Sequence, residues 1–426
     1  MSQSVIVILL GLMLFISSLF GGPSDTTVPQ GQPPNQLETY TVTGQIRKSP
    51  ATLYESPSTD SKRIATAQPS TSVSILAESG DWYKVQLPDG TTGWVLKIMV
   101  STSGSIGSLG FLTKEVYGYF VQNTNVPSQP SLAANYKKMT GIAPWAFSID
   151  GEGNVHNQMN PEILAETLAF AGNRKLKTLA VITNYDRTTE SFSGKMAHEL
   201  LTSAANRKRA VESIYKTAVE WGLSGINMDF EHVYPSDREH YSQFLRELSE
   251  RLRPAGILVT AAIPAKTYDN PSSSWSGAFD YQAIGQAVDR VILMAYDQHY
   301  AGGSPGPIAS ADWVERVLKF AVSQIPKDKV ILGIPGYGYS WQAPGSAHSV
   351  TYQRAVELAA KGSGVRWNSD HKSPYATYDG REMWFENAAS ISYKLELVNR
   401  YDIKGIALWR LGQEDPQMWQ LIADKF

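Results

Sequence analysis

The sequence predicts a (β/α)8 barrel with a small α+β insertion, preceded by a small all-β barrel module. Three observations carry this. Eight apolar, strand-like runs alternate with helical stretches between Thr113 and Phe426. A segment ahead of them holds only short alternating runs cut by turns. Stretches rich in Pro, Gly, Ser and Thr separate the parts. At 426 residues the chain is long enough for two or three domains.

Composition narrows the function classes. Hydrophobic residues at 42% supply a sizeable core and exclude a largely disordered chain. The 38 Lys+Arg against 40 Asp+Glu leave a net charge of −2, which argues against nucleic acid as a partner. The absence of cysteine removes disulfides, thiolate catalysis and cysteine metal sites together. The seven histidines show no HxH or HExxH spacing, so no metal site is expected; no cofactor is expected either. Eleven Trp and 21 Tyr are many for this length; such flat amphipathic rings suit sugar faces as well as cores.

Val5 to Phe20 is an apolar run softened only by Gly11, Ser17 and Ser18. It is shorter than the ~20 residues a spanning helix needs. Residues 1–22 therefore read as a signal peptide or an N-terminal membrane anchor. Both remain open, because no Lys or Arg precedes the run and Leu19-Phe20-Gly21-Gly22 is a poor cleavage site. Either reading puts the remainder outside the membrane, secreted or N-terminally anchored, with membrane contact only through residues 5–20 if uncleaved. Residues 23–38 form a flexible tether.

Residues 39–100 form the β-module. Ser72–Leu76 and Trp82–Leu87 read as strands, and Pro88-Asp89-Gly90 turns the chain into Thr92–Val95. Residues 101–112 are a second linker. Its glycines do not follow a strand and open a helix, which argues against a phosphate-cradling loop.

The barrel unit occupies residues 113–426. Its strand runs are Val116–Val121, Gly141–Phe147, Leu179–Thr183, Gly225–Phe230, Leu258–Ile263, Val291–Tyr296, Val330–Ile334 and Gly405–Trp409. One helix illustrates the intervening pattern. Ser236 with Glu239 reads as a capping box, followed by Tyr241, Phe244, Leu245, Leu248 and Leu252 at helical spacing. The stretch from about 337 to 386 exceeds one helix and reads as the insertion.

Chemistry concentrates in Ser224-Gly-Ile-Asn-Met-Asp-Phe-Glu231. Strand side chains alternate, so Asn227, Asp229 and Glu231 share one face and Ile226, Met228 and Phe230 the other. The outer face of a parallel barrel packs on helices and must be apolar, so the acidic face points inward. Buried carboxylates cost several kcal/mol unless hydrogen-bonded or protonated, so stability does not explain them. Proton chemistry does. Two acids ~6.6 Å apart along a strand cannot both ionise easily, which raises a pKa and suits Glu231, at the C-terminal mouth, as proton donor. Asp229 lies one layer deeper.

The octapeptide resembles the D-G-x-D-x-D-x-E signature of glycoside hydrolase family 18, the chitinase and β-N-acetylglucosaminidase family. Met294-Ala295-Tyr296-Asp297 is similar to its sixth-strand M-x-Y-D, and Gly405-Ile406-Ala407-Leu408-Trp409 to its eighth-strand G-x-x-x-W. The run from Asp297 to Ser310 is similar to a bacterial subgroup that includes spore-cortex-lytic N-acetylglucosaminidases. Two positions depart: Ser224 and Asn227 stand where the family has Asp. An amide cannot share a proton with Asp229, which bears on rate and pH optimum. The module at 39–100 resembles the bacterial Src-homology-3-like module of cell-wall enzymes. The matching segments are Leu53–Ser58, Gly80–Val85 and Gly90–Val95.

The resemblance implies retaining, substrate-assisted hydrolysis, in which the sugar's own 2-acetamido group attacks the anomeric carbon. Glu231, Asp229 and Tyr296 are then catalytic. Glu231 protonates the glycosidic oxygen and later activates water, Asp229 steadies the oxazolinium ion, and Tyr296 holds the acetamido carbonyl. Trp409, Asp297, Met294 and Asn227 bind substrate, with Trp409 as the apolar floor. Trp145, Trp341 and Trp384 are either outer subsites or core, and His232 and His299 are structural. The implied substrate is cell-wall glycan, peptidoglycan or chitin, with wall binding by the N-terminal module. The alternative is a catalytically silent carbohydrate-binding protein on the same barrel.

Overall fold

The computed structural model describes residues 43–47, 50–79, 82–102 and 114–426. The apolar run Val5–Phe20 and the tether at 23–38 lie outside the described residues, as do Gly80, Asp81 and most of the linker at 101–112. No helix among the described residues is long and apolar enough to cross a membrane.

Eight parallel strands form the central barrel: β1 (Glu115–Phe120), β2 (Gly141–Ile149), β3 (Lys177–Thr183), β4 (Gly225–Asp229), β5 (Leu258–Pro264), β6 (Arg290–Met294), β7 (Val330–Pro335) and β8 (Gly405–Trp409). They pair in chain order, and β8 closes on β1. Both faces of each strand are covered, which is why most of the runs are apolar with little alternation. The outward residues Ile226, Met228 and Phe230 pack with Tyr241, Phe244 and Leu248 of the helix Arg238–Leu252. That helix has the expected apolar face, but its capping box does not form. A 3-10 turn, Pro235–Asp237, precedes it, Asp237 occupies the N-cap position without a side-chain cap bond, and Ser236 is not at the cap. The Asp237 carboxylate meets His198 Nδ1 at 2.9 Å instead.

Inside the barrel, Glu115 joins Lys177 at 3.2 Å and Arg290 at 2.9 Å near the N-terminal end. Burial pushes the Glu115 carboxyl up, but Arg290 and Lys177 together hold it below the usual carboxylate range. Tyr117, Leu179, Val181, Ile292 and Ile331 fill much of the interior. Small residues then leave a hollow: Ala262 on β5, and Gly333 and Ala407, which pair between β7 and β8. A Cβ on Gly333 would lie 2.4 Å from Leu293 O and 3.1 Å from Tyr296 Cε1.

Between β7 and β8 the chain builds a five-stranded antiparallel sheet from Tyr337–Trp341, Ala347–Thr351, Arg366–Asn368, Ser373–Tyr378 and Arg381–Phe385. The helix Tyr352–Ala359 packs on it. The strand Tyr337–Trp341 leaves directly from the end of β7 and so brings its tyrosines to the barrel mouth.

The N-terminal module is an open, curled sheet, not the closed small barrel expected. Seven antiparallel strands run from an edge at Arg63–Ala67 to an edge at Val100–Thr102, and these edges do not pair. The edge strand Arg63–Ala67 buries only Ala67, too little apolar surface to wrap round and close on its counterpart. The core consists mostly of small aliphatic residues, among them Leu53, Val73, Val85 and Val95. The hairpin at Pro88-Asp89-Gly90 forms as its sequence requires. Asp89 accepts the Thr91 N–H at 2.9 Å, and Gly90 takes φ +87°.

Candidate active site

The acidic strand ends where its chemistry begins. Strand β4 stops at Asp229, Phe230 turns outward onto Tyr241 and Phe244, and Glu231 follows at the mouth. Asp229 is buried, and its Oδ1 has no hydrogen-bond partner. The Trp145 indole N–H faces it and draws its pKa down slightly without closing a hydrogen bond. Burial dominates, and the Asp229 carboxyl is pushed well up. Glu231 is half-buried. Burial raises its pKa most, followed by the charges of Asp229 and Asp297. Desolvation thus outweighs the like-charge repulsion that strand spacing alone suggests.

Backbone hydrogen bonds hold Glu231 although the strand has ended. Asn184, just past β3, accepts the Glu231 N–H at 2.9 Å and donates to its carbonyl at 2.8 Å. Nothing in the motif itself points to Asn184.

Two hollows meet at Glu231. The first, of about 290 Å3, is walled by Asp229, Tyr296 and Trp409, with Tyr119, Trp145 and Tyr337 around them. The second, of about 640 Å3, is lined by His232, Trp275, Gln298 and Trp313. Both share Glu231, Met294, Tyr296 and Asp297. Burial raises the Tyr296 pKa, so its phenol stays a donor. Trp409 meets Tyr119 edge-on at 5.2 Å, and the Trp409–Arg410 peptide is cis.

Asp297 stands at the rim with φ +57°. Tyr337 Oη donates to one of its oxygens at 2.5 Å and Tyr339 Oη to the other at 3.5 Å. Surrounding protein raises the Asp297 pKa, and the two phenols partly offset this.

Six of the seven expected site residues therefore gather in one place: Asp229, Glu231, Met294, Tyr296, Asp297 and Trp409. Asn227 does not. It is fully buried beneath the hollow, where it accepts from Tyr119 Oη and donates to Thr260 Oγ1, both at 2.9 Å, and it supports the floor instead of lining it. Of the three outer tryptophans, Trp145 lines the first hollow. Trp341 and Trp384 are buried with Tyr337 and Ile308. His232, expected only as structure, lines the second hollow edge-on to Trp275 at 5.3 Å, and His299 pairs with the Ser304 carbonyl. Tyr119, Tyr337 and Tyr339 went unrecognised in the sequence, although the alternations Tyr117/Tyr119 and Tyr337/Tyr339 signal inward aromatic faces. Among the described residues no group of three or more His, Asp or Glu side chains could hold a metal ion.

Comparison with known proteins finds relatives for both parts of the chain. Residues 49–101 match the bacterial SH3 domain model. Glycosylase YdhD of Bacillus subtilis is 35% identical over 282 residues, 64% of this chain and 66% of that protein. The crystal structure of a chitinase from Chromobacterium violaceum superposes with a TM-score of 0.69 at 29% identity, covering 73% of this chain and 98% of that one. The spore cortex-lytic enzyme SleL of Bacillus megaterium has a TM-score of 0.69 at 27% identity over 84% and 89% of the two chains. With residues 115–414 matching the family model for glycosyl hydrolases family 18, the chain belongs to that family of glycoside-cleaving enzymes.

Proposed function

We propose that the protein is a retaining β-N-acetylglucosaminidase that cleaves β-1,4 linkages of cell-wall glycan, with the substrate's acetamido group as nucleophile. The observation that carries this is the position of Glu231 between two hollows. A glycosidic oxygen beside it would have one sugar over Trp409 and its leaving neighbour beside Trp275 and Trp313. Glu231, kept protonated by burial, delivers its proton to that oxygen. Asp229 faces the same hollow, where an N-acetyl nitrogen supplies the donor that its Oδ1 lacks and gains positive charge as the ring closes. Tyr296 donates to the acetamido oxygen and orients it. Asp297, tied to Tyr337, binds a hydroxyl or amide at the boundary between the hollows. Glu231 then takes a proton from the water that opens the oxazolinium ion.

The N-terminal module is proposed to hold the enzyme on peptidoglycan. Its family match supports a wall location, reached by secretion or with an N-terminal anchor. Mass spectrometry of products from purified peptidoglycan and from chitooligosaccharides tests the reading. Fragments with N-acetylglucosamine at the new reducing end support it. Saturable binding with both glycans left intact would instead support the silent carbohydrate-binding alternative.

A further inference from the structure

From the first hollow, past Trp145, a cleft of about 740 Å3 runs along the ends of β1 and β2, away from Trp275 and Trp313. Its walls carry the amides of Gln122, Asn123, Asn157, Gln158 and Asn160, and its one charged lining residue is Arg187. The same side chain also lines the adjoining hollow beside Tyr185. The Arg187 guanidinium is exposed and lies within ion-pair distance of no carboxylate among the described residues. One Nη2–H reaches Gln158 O at 3.4 Å, near the long limit of a hydrogen bond. The neighbouring Asp186 is turned back on Thr188, accepting its backbone N–H at 2.8 Å and its hydroxyl at 2.7 Å.

The charge pattern discriminates among glycans. The cleavage hollow carries Asp229, Glu231 and Asp297, and thus gives no advantage to an anionic substrate. A neutral polymer such as chitin needs no cation beside it. We infer that Arg187 recognises a carboxylate on the sugar unit next to the one over Trp409, so that the enzyme favours glycan with acidic substituents over neutral glycan. This rests on the hydrolase reading above. An acidic muramyl unit carries such a carboxylate on its lactyl ether or, once that is amidated, on its peptide stem; either suits the guanidinium fork.

The test compares kcat/KM on tetrasaccharides of alternating N-acetylglucosamine and N-acetylmuramic acid. One bears free lactyl groups, one bears short acidic peptide stems, and each is paired with its carboxyl-reduced counterpart. For wild type the carboxylate form should be preferred about three- to tenfold, an exposed charged contact being discounted for solvent. Arg187→Gln should bring the ratio close to one, with Arg187→Lys in between. Raising salt to about 0.5 M should shrink the wild-type ratio and leave that of Arg187→Gln unchanged. The lactyl and peptide pairs show which carboxylate is read. An equal ratio in wild type and Arg187→Gln overturns the inference while leaving the hydrolase intact. Failure of wild type to cleave any of these glycans or chitotetraose overturns both.

Discussion

The Asn184 side-chain amide holds Glu231 by both of that residue's backbone polar groups, accepting from its N–H and donating to its carbonyl. The same amide nitrogen donates to Ser193 O at 3.0 Å, and the Asn184 backbone carbonyl accepts the Ser193 N–H at 2.9 Å. Two loops are thereby tied together where strand pairing has stopped. The next residue, His232, takes φ +55°, and its carbonyl sits so close to Gly194 that a Cβ there would lie 2.4 Å away. A side chain larger than hydrogen at Gly194 would displace the turn that aims Glu231.

Asn184→Ala should lower kcat by about 10- to 100-fold with a smaller change in KM, because the acid is mispositioned while the sugar-binding walls remain. Loss of these bonds should also cost about 1–3 kcal/mol of stability. Steady-state kinetics with urea unfolding checks both. Unchanged kcat would reduce Asn184 to a loop tie.

Glu231→Gln should abolish more than about 99.9% of turnover while the melting temperature holds or rises, since a half-buried acid gives way to a neutral isostere. Differential scanning calorimetry beside product assays checks this. Wild-type turnover in the variant would remove Glu231 from the acid role.

Activity should fall as pH rises through about 8, the value to which Glu231 is pushed, because the donor is then lost. Stability follows the same sign. Between the ordinary carboxylate range and the raised values of Asp229 and Glu231, the folded state binds more protons than the unfolded chain. The stabilisation is complete below the ordinary range and is lost as pH climbs to about 8. Asp229→Asn should flatten this slope and cripple turnover. Urea titrations at several pH values measure the slope, and an unchanged slope in the variant would contradict burial as the cause.

Asn227→Asp tests the departure at that position. Thr260 Oγ1 already donates to Ile226 O, so an ionised carboxylate in place of the amide would lose the donor that Asn227 offers Thr260 and add a buried charge near Asp229. The variant should lose about 1–3 kcal/mol at neutral pH and recover part of it in acid, where a carboxylic acid can donate. Chemical denaturation at neutral and acid pH checks the difference.

Much of this was legible in the residues. The inward acids of β4 could be read because alternation admits only one inward face, and a packed barrel interior rarely holds two carboxyls without use. Tyr296 and Trp409 followed only from the likeness of their segments to the sixth- and eighth-strand motifs of the family, since a lone inward aromatic also fits a core. Asn184 was not legible: a lone amide past a strand end has no period, and its role depends on a loop from another strand. Asn227 misled for a related reason, since alternation gives the face but not the depth. The closed small barrel failed because hairpin signals count strands without showing whether the two edge strands meet.

The account turns on the substrate's acetamido group acting as nucleophile under Glu231 and Asp229. Proton NMR of the first product formed from chitotetraose tests this most directly, by reading the anomeric signal before mutarotation. The β-anomer should appear first and relax slowly to the equilibrium mixture. Initial formation of the α-anomer would mean direct attack by water and would contradict the mechanism.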